Sequence, residues 1–344
     1  MLPIPPWRTY GRATLPDETM PEPATIPPLI GIVILNWNGW RDTLEAIAST
    51  RRLTHPRFRV YVVDNASTDG SEARLRAHAH ANALGLTVIQ SGANLGWSGG
   101  NNMGIRAAQS DGCAHVLLLN NDATLRPDAL ARLAAAADTL PDAAALGALI
   151  VSADDPEHVE FGGAWIDPRT HLPLQAHGRL NEMALPASPA RMPMVKGCAM
   201  LLTATGLARV GALTEDYFLN YDEADWCYRA TAAGLGVYLI PDAVVEHKGA
   251  LSFQGTEGPL YRYFIARNRL LFARRHLDRR GRWHAWRSAF WDFRQALGHG
   301  GALSRALLAF TILRAVADHA MGRYGDCPPA IRAFNRLLAG RDGG

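Results

Sequence analysis

Between Leu29 and Val151, short apolar runs alternate with stretches of helical spacing, and this alternation limits the chain to few architectures. "LIGIVIL" (29–35) precedes the helical pattern "RDTLEAIAST", and "RVYVV" (59–63) precedes a helix expected after Ser67. "LTVIQ" (86–90) leads to a helix from about Gly99, the run at 116–119 to a helix from Pro127, and "ALGALIV" (145–151) closes the series. Apolar runs this short read as strands, and strand–helix–strand order implies a parallel sheet with right-handed crossovers. From 152 to 195 the periodicity fails and Pro, Gly and His accumulate, which predicts an irregular insertion of loops with a hairpin. "KGCAMLL" (196–202) is strand-like again, "EADWCYRATAAG" (223–234) is a helix closed by Gly234, and "GVYLIPD" (236–242) is a strand. Residues 1–28 hold eight prolines and read as an extended arm. After Tyr261 the pattern is helical, aromatic and rich in arginine.

Composition narrows the function. With 344 residues, 48% hydrophobic and 19% charged, the chain can build the core of a soluble enzyme in one large domain or two modest ones. A net charge of +3 calls for no nucleic-acid partner. The charge is uneven, however: ten arginines between Arg262 and Arg294 face only Asp278 and Asp292, a local +8 that leaves −5 for the rest. Cys113, Cys198, Cys227 and Cys327 form no C-x-x-C pair, which argues against a zinc module or a disulfide framework and suits the reducing cytoplasm. No apolar run reaches the roughly 18–20 residues of a spanning helix, and the N-terminus lacks the basic-then-apolar order of a signal peptide.

Ligands of open α/β sheets bind beyond the carboxyl ends of the strands. Here those ends are polar: "NWNGW" (36–40), "DNASTDGS" (64–71), "SGANLGWSGGNN" (91–102) and "NND" (120–122). Part of this is turn and cap chemistry, since Asn38-Gly39 and Asp69-Gly70 are turn dipeptides and Ser67 or Thr68 can cap a helix. Asp64 asks for more, because a carboxylate directly after apolar strand residues needs a donor, and a nucleobase imide N–H would be one. Glycines 96, 99, 100 and 104 permit a close backbone approach to a ligand. They lack G-x-G-x-x-G spacing, and no G-x-x-x-x-G-K-[ST] occurs, which disfavours dinucleotide and P-loop enzymes.

A second cluster lies in "LTEDYFLNYDEADWCYRA" (213–230). Acids at a helix start are favoured by the helix dipole alone. Asp222, Glu223 and Asp225 are also surrounded by Tyr217, Phe218, Tyr221 and Trp226, and partial burial raises a carboxylate pKa toward that of a useful base. "VVEHKG" (244–249) then places His247 after an apolar pair.

In sequence and spacing, "VILNWNGW", "VVDNASTDGS", "ANLGWSGGNNMGI", "LLLNNDA", "FLNYDEADWCYRA" and "VVEHKG" resemble the inverting nucleotide-sugar glycosyltransferases of family 2, especially their rhamnosyltransferase-like branch. The resemblance covers roughly residues 29–275 and implies a glycosyltransferase A-type, Rossmann-like α/β fold. The expected central sheet is mixed and mostly parallel, followed by a C-terminal helical extension. The division it suggests is an arm (1–28), a catalytic domain (29–260) with donor half 29–151 and acceptor half 152–260, and a helical region (261–344). It implies that Asp64 reads the base, with Asn36 and Asn65 in the nucleoside pocket and Asn94, Trp97, Gly99 and Asn101 along the donor. Asn120 and Asp122 match the family's metal-binding element, so Asp122 and His247 are the expected ligands of one Mg2+ or Mn2+. The reaction implied is attack of an acceptor hydroxyl at the anomeric carbon, with a carboxylate taking the proton.

Two positions depart from the family pattern. Where "EDxD" is usual this chain reads Asp222-Glu223-Ala224-Asp225, so either Glu223 or Asp222 is the base. Asn121 replaces a proline, which alters turn rigidity. The implied partners are a nucleoside diphosphate sugar, with dTDP-rhamnose favoured, and a saccharide or lipid-linked acceptor in bacterial surface polysaccharide synthesis. The rival readings are a sugar nucleotidyltransferase, which would show a Gly- and Arg/Lys-rich loop near its first strand, and a non-catalytic nucleotide-sugar-binding protein. "LNWNGWRD" holds one Arg and no such loop. In the last region, Trp283, Trp286, Phe290, Trp291 and Phe293 interleave with Arg282, Arg287 and Arg294, which suits peripheral docking on the anionic inner membrane face. Packing on the catalytic domain or a homodimer contact would use the same residues.

Overall fold

Four parallel strands end at one level. The computed structural model, which describes residues 26–82, 85–167, 173–249, 258–298 and 301–339, contains β1 (Ile30–Asn36), β2 (Phe58–Asp64), β3 (Leu86–Gln90) and β4 (His115–Asn120). Their spatial order is β3-β2-β1-β4. In register, Asn36 lies beside Asp64, Asp64 beside Gln90, and Leu35 beside Asn120. The polar residues that follow each apolar run therefore meet at one edge. The Pro-rich arm falls outside the described residues up to position 25.

The connecting helices are α1 (Trp40–Thr50), α2 (Ser71–Asn82) and α3 (Gly96–Ser110). α3 begins three residues earlier than expected and lies unusually close to β1. Residues 31, 33 and 35 share one face of the strand and meet 108, 104 and 100 on one face of the helix. A Cβ on Gly100 would overlap Leu35, one on Gly104 would overlap Val33, and one on Gly31 would come within 2.6 Å of Ala108 Cβ. The expectation that these glycines open a path for a ligand is corrected here: Gly100 and Gly104 seat the helix on the sheet. A second correction concerns α2, whose first turn is capped by Asp69 rather than Ser67 or Thr68. Asp69 Oδ1 accepts from Ser71 N at 3.0 Å.

The second half makes the sheet mixed. β5 (Ala123–Leu125), α4 (Ala129–Thr139) and β6 (Ala143–Ser152) follow β4, and β12 (Ala199–Leu202) inserts antiparallel between β4 and β6. The irregular insertion contains β7 (His158–Phe161), antiparallel to β6, a hairpin of β8 (Ala164–Ile166) and β9 (Pro173–Gln175), and the two-residue strands β10 (Gly178–Arg179) and β11 (Ala190–Arg191). Thr203 Oγ1 accepts from Gly206 N at 3.0 Å and starts α5 (Ala204–Val210), which the periodicity did not signal. α6 (Asp222–Ala232) carries the acid cluster.

β13 (Gly236–His247) runs parallel to β6 and antiparallel to β5, five residues beyond the expected end. Pro241 has no N–H to give the ladder, and the register shifts between Ile240 and Val244 before pairing resumes. That bulge lets the strand deliver His247 beside the β4 end.

The remaining helices are α7 (Pro259–His276), α8 (Arg279–Gly298), α9 (Ala302–Ala320) and α10 (Pro329–Ala339). Leu270, Leu271 and Phe272 of α7, with Ala285 and Ala289 of α8, belong to the same apolar core as the sheet. α8 is built inside out: Gly281, Ala285, Ala289 and Ala296 are buried, while Trp283, Trp286, Phe290 and Trp291 are 46–57% exposed. Among the described residues no helix is long and apolar enough to cross a membrane.

Candidate active site

Asp64 is fully buried at the end of β2, where its charge needs donors. Asn36 Nδ2 donates to Oδ1 at 2.7 Å, while Gln90 Nε2 and Ser67 N donate to Oδ2 at 2.9 and 3.2 Å. Asn36 is fixed in turn by Thr43 Oγ1, which donates to its Oδ1 at 2.7 Å. Asn65 Nδ2 donates to Asn94 Oδ1 and Gly96 O, both at 3.1 Å, and Asn65 Oδ1 accepts from Leu95 N at 2.9 Å. Asn65 and Asn94 thus shape the loop that enters α3. Asn101 is buried and donates to Trp97 O, and Gly99, in the first turn of α3, faces Leu95 at the helix N-cap.

At the end of β4 the side chains diverge. Asn120 Oδ1 accepts from Trp97 Nε1 at 3.1 Å. Asn121 turns toward α1, its Nδ2 donating to Gly39 O at 3.3 Å and Thr43 Oγ1 at 3.4 Å. The exchange of a proline for Asn121 therefore supplies a tie to α1, beyond a change in turn rigidity.

Asp122 and His247 are both 7% exposed. His247 Nε2 lies 3.2 Å from Asp122 Oδ1, outside hydrogen-bonding geometry, so that buried oxygen has no donor. On the other side of the ring, His247 Nδ1 meets Glu160 Oε2 at 2.6 Å. A carboxylate behind a histidine whose second nitrogen faces an unpartnered carboxylate oxygen could hold a metal ion, with Glu160 as outer support. The donor set fits a divalent cation. Among the described residues no cluster of three or more acidic, His or Cys side chains is placed to hold a metal ion, which leaves Asp122 and His247 as the two candidate ligands. Burial lowers the His247 pKa, but Cys198, Asp122 and Glu160 outweigh it and raise it to about 12.

The acid cluster divides its duties. Asp225 is 1% exposed and points away from the β4 end into a structural knot. It accepts from Thr214 Oγ1 (2.6 Å), Tyr217 OH (3.1 Å), Arg229 Nε (2.9 Å) and His276 Nε2 (2.7 Å). Burial pushes its pKa up, but His276, Thr214 and Arg229 prevail and hold it at about 2. Asp222 is also buried, with Ser98 Oγ donating to Oδ2 at 3.0 Å. Burial, then the charge of Glu223 beside it, raises the Asp222 pKa well above the carboxylate range. Glu223 is the more accessible member of the pair.

These groups share one cavity of about 640 Å³, lined by Trp97, Asn120, Asp122, His247, Asp222 and Glu223, among others. Gly197 lets two walls approach: a Cβ there would come within 2.7 Å of Trp97 Cζ2 and 3.5 Å of Glu223 Cβ. Asn36, Asp64, Asn65, Asn94, Gly99 and Asn101 do not line it; they lie in the network at the β1–β3 ends and the start of α3. The sequence reading missed Gln90, Glu160 and Ser98. Gln90 was within reach, as a polar residue closing an apolar strand beside Asp64. Glu160 lies in the insertion that has no periodicity, and Ser98 in a run of small residues.

The fold defines a class. A mannosyltransferase structure from Pyrobaculum calidifontis, in complex with GDP-Man and Mn2+, superposes with a TM-score of 0.53 at 20% identity, covering 93% of this chain and 81% of that one. The architecture is the glycosyltransferase A-type fold. Residues 31–185 match the model of Glycosyl transferase family 2. It is 21% identical over 251 residues to the dTDP-rhamnosyl transferase RfbF of Shigella flexneri, covering 71% of this chain and 79% of that one. It is 29% identical over 167 residues to an uncharacterised protein of Mycobacterium tuberculosis, covering 47% of this chain. That match spans only 57% of the mycobacterial protein's length.

Proposed function

We propose that the protein is an inverting, metal-dependent glycosyltransferase that moves a sugar from a nucleoside diphosphate to an acceptor hydroxyl. The observation that carries this reading is the shared cavity, in which a buried Asp122–His247 pair backed by Glu160 stands with the Asp222–Glu223 pair. Asp64, with Asn36 and Asn65, forms the base-reading end, and Asn94, Trp97, Gly99, Asn101 and Asn120 shape the path toward the cavity. Asp122 and His247 would hold one Mg2+ or Mn2+, which offsets the charge that grows on a leaving diphosphate.

Glu223 acts as base. It takes the proton of the acceptor hydroxyl as that oxygen bonds the anomeric carbon and the bond from that carbon to the diphosphate oxygen breaks. Asp222 is buried and engaged by Ser98, and burial with the neighbouring Glu223 raises its pKa, so the base role falls to the more accessible Glu223. The best donor candidate is dTDP-rhamnose, a choice supported by the likeness to RfbF. The acceptor is a saccharide or a lipid-linked saccharide in surface polysaccharide synthesis, met by the 152–195 insertion.

Purified protein is offered dTDP-rhamnose, UDP-glucose, UDP-N-acetylglucosamine, UDP-galactose and GDP-mannose with manganese, magnesium or EDTA. Slow metal-dependent release of one nucleoside diphosphate, lost in Asp122→Ala, is the expected result. No release together with no calorimetric nucleotide binding would refute the reading.

The same proposal places the enzyme in the cytoplasm, in peripheral contact with the inner membrane face. The outward aromatics of α8 support this, with Arg287 over Trp283 at 5.0 Å and Arg294 over Trp291 at 5.9 Å pairing cations with rings as an anionic headgroup layer favours. Sedimentation with anionic vesicles, reduced at least tenfold by joint Trp283→Ser and Trp291→Ser changes, is expected. Concentration-dependent dimerisation lost in that variant, with no vesicle binding, would assign the face to a second copy instead.

A further inference from the structure

Three of the five non-glycine residues with positive φ among the described residues fall immediately before Asp222: Phe218 (64°), Asn220 (67°) and Tyr221 (72°). Phe218 also has ψ of −48°, and Leu219 N donates to Tyr217 O at 2.7 Å, which together make a γ-turn of the rare, strained kind. Such conformations persist only where the surroundings over-determine them, and they gather at functional sites. This turn is part of the cavity: Leu219, Asn220 and Tyr221 line it, as do Asp222 and Glu223.

What holds the turn comes from α7. Asn268 is fully buried, and its Nδ2 donates to Tyr217 O (2.8 Å), Leu219 O (2.8 Å) and Asn220 O (3.0 Å). Its orientation is fixed by Arg267, also fully buried, whose Nε donates to Asn268 Oδ1 at 3.0 Å. With the oxygen so engaged, the amide hydrogens must face the three carbonyls. Among the described residues no carboxylate pairs with Arg267. Its other contacts include Asp216 O, Tyr217 O and the rings of Tyr263, Phe264 and Tyr324, 5.2, 5.1 and 5.9 Å from the guanidinium carbon. A buried cation held by carbonyls and ring faces is costly unless it fixes something of use. The turn also reaches the donor side, since Phe218 O accepts from Trp97 N at 2.6 Å.

We propose that Asn268, its amide oriented by Arg267, is a positioning residue: it sets the 218–221 turn and thereby aims Glu223 into the cavity. The inference rests on the reading of Glu223 as the base. The test measures kcat and donor KM for full-length wild type, Asn268→Ala, Asn268→Asp and Asn268→Gln with the panel donor that wild type turns over. Amide hydrogen exchange is followed at Leu219 and Trp97. Loss of the amide donors should lower kcat about 100-fold in the Ala and Asp variants, the scale of a small misplacement of a reacting group. Donor KM should stay within threefold, exchange at Leu219 and Trp97 should quicken, and Gln should recover part of kcat.

If Asn268→Ala does not fold, Arg267→Lys, which frees the amide, should show the same pattern with a kcat loss of about tenfold. A kcat within threefold of wild type for Asn268→Ala, or for Arg267→Lys in its place, would overturn the proposal while leaving the transferase reading intact. A wild type that neither turns over nor binds any panel donor would overturn that reading and this inference with it.

Discussion

At the ends of β1, β2 and β3 the side chains of Asn36, Asp64, Gln90, Asn65 and Asn94 all have protein partners, whereas around the cavity Asp122 Oδ1 and Asn220 Nδ2 have none. The first region is a closed lattice in which Asn36, Asp64, Gln90, Asn65 and Asn94 hold one another. The second holds a buried carboxyl whose pKa is pushed up, a histidine turned toward a carboxylate oxygen without a donor, and a turn with three residues of positive φ. Binding needs a shape prepared in advance, which a satisfied network provides. Chemistry needs groups whose preferences are completed only by the ligand. On the proposed function, the difference corresponds to recognition in one region and reaction in the other.

The largest effect that sharpens this contrast is expected for Glu223→Gln. Removing the base should cut transfer on the order of 1,000-fold, measured as steady-state kcat with the preferred donor. Next comes Asp225→Ala, because Asp225 shares a helix with the pair yet is fully partnered. It should leave the donor KM unchanged in the folded fraction and destabilise the protein by about 3–5 kcal/mol in chemical denaturation. Its pH dependence has a definite sign. The folded pKa of about 2 lies below the usual value near 3.8, so its contribution is complete above about pH 4 and lost as pH falls toward 2. Wild type should therefore show an acid transition in that window, with a smaller stability change in Asp225→Ala.

A smaller effect is expected for Glu160→Gln, which should weaken manganese binding by about 10–100-fold in calorimetry while sparing nucleotide binding in EDTA. The smallest belongs to Asp222→Asn, which keeps the side chain's size and removes its titration. Its kcat should fall less than about tenfold, since the proton-transfer role is assigned elsewhere. Because the folded pKa is raised, the native carboxyl disfavours folding as pH rises past the unfolded value, so Asp222→Asn should raise the melting temperature at pH 7 to 8. A thousandfold loss in Asp222→Asn with mild loss in Glu223→Gln would exchange the two roles.

Much of this was legible in the chain because strand ends and apolar runs are local signals. β1 to β4 and their polar tips follow from runs such as "LIGIVIL", and parallel pairing then brings the tips together. His247 was legible as a residue, but not its place at the end of a strand, because Pro241 and Asp242 read as a stop and the bulge that bypasses them depends on pairing with β6. The glycines of α3 misled because a small residue looks the same whether a ligand or Leu35 fills the space. Glu160 and Asn268 were out of reach: their partners lie 87 positions away and 48 to 51 positions away, and neither sits in a periodic pattern that would mark it. Long-range polar contacts of this kind are set by topology, which a single sequence does not display.

The assignment of recognition and reaction to different regions is tested most directly by calorimetric titration of the nucleoside diphosphate of the preferred donor, with manganese, into wild type and Glu223→Gln. Affinities within threefold of each other, beside the thousandfold difference in turnover, are the predicted result. A fall in affinity that tracks the fall in rate would make Glu223 part of the recognition surface and contradict the division.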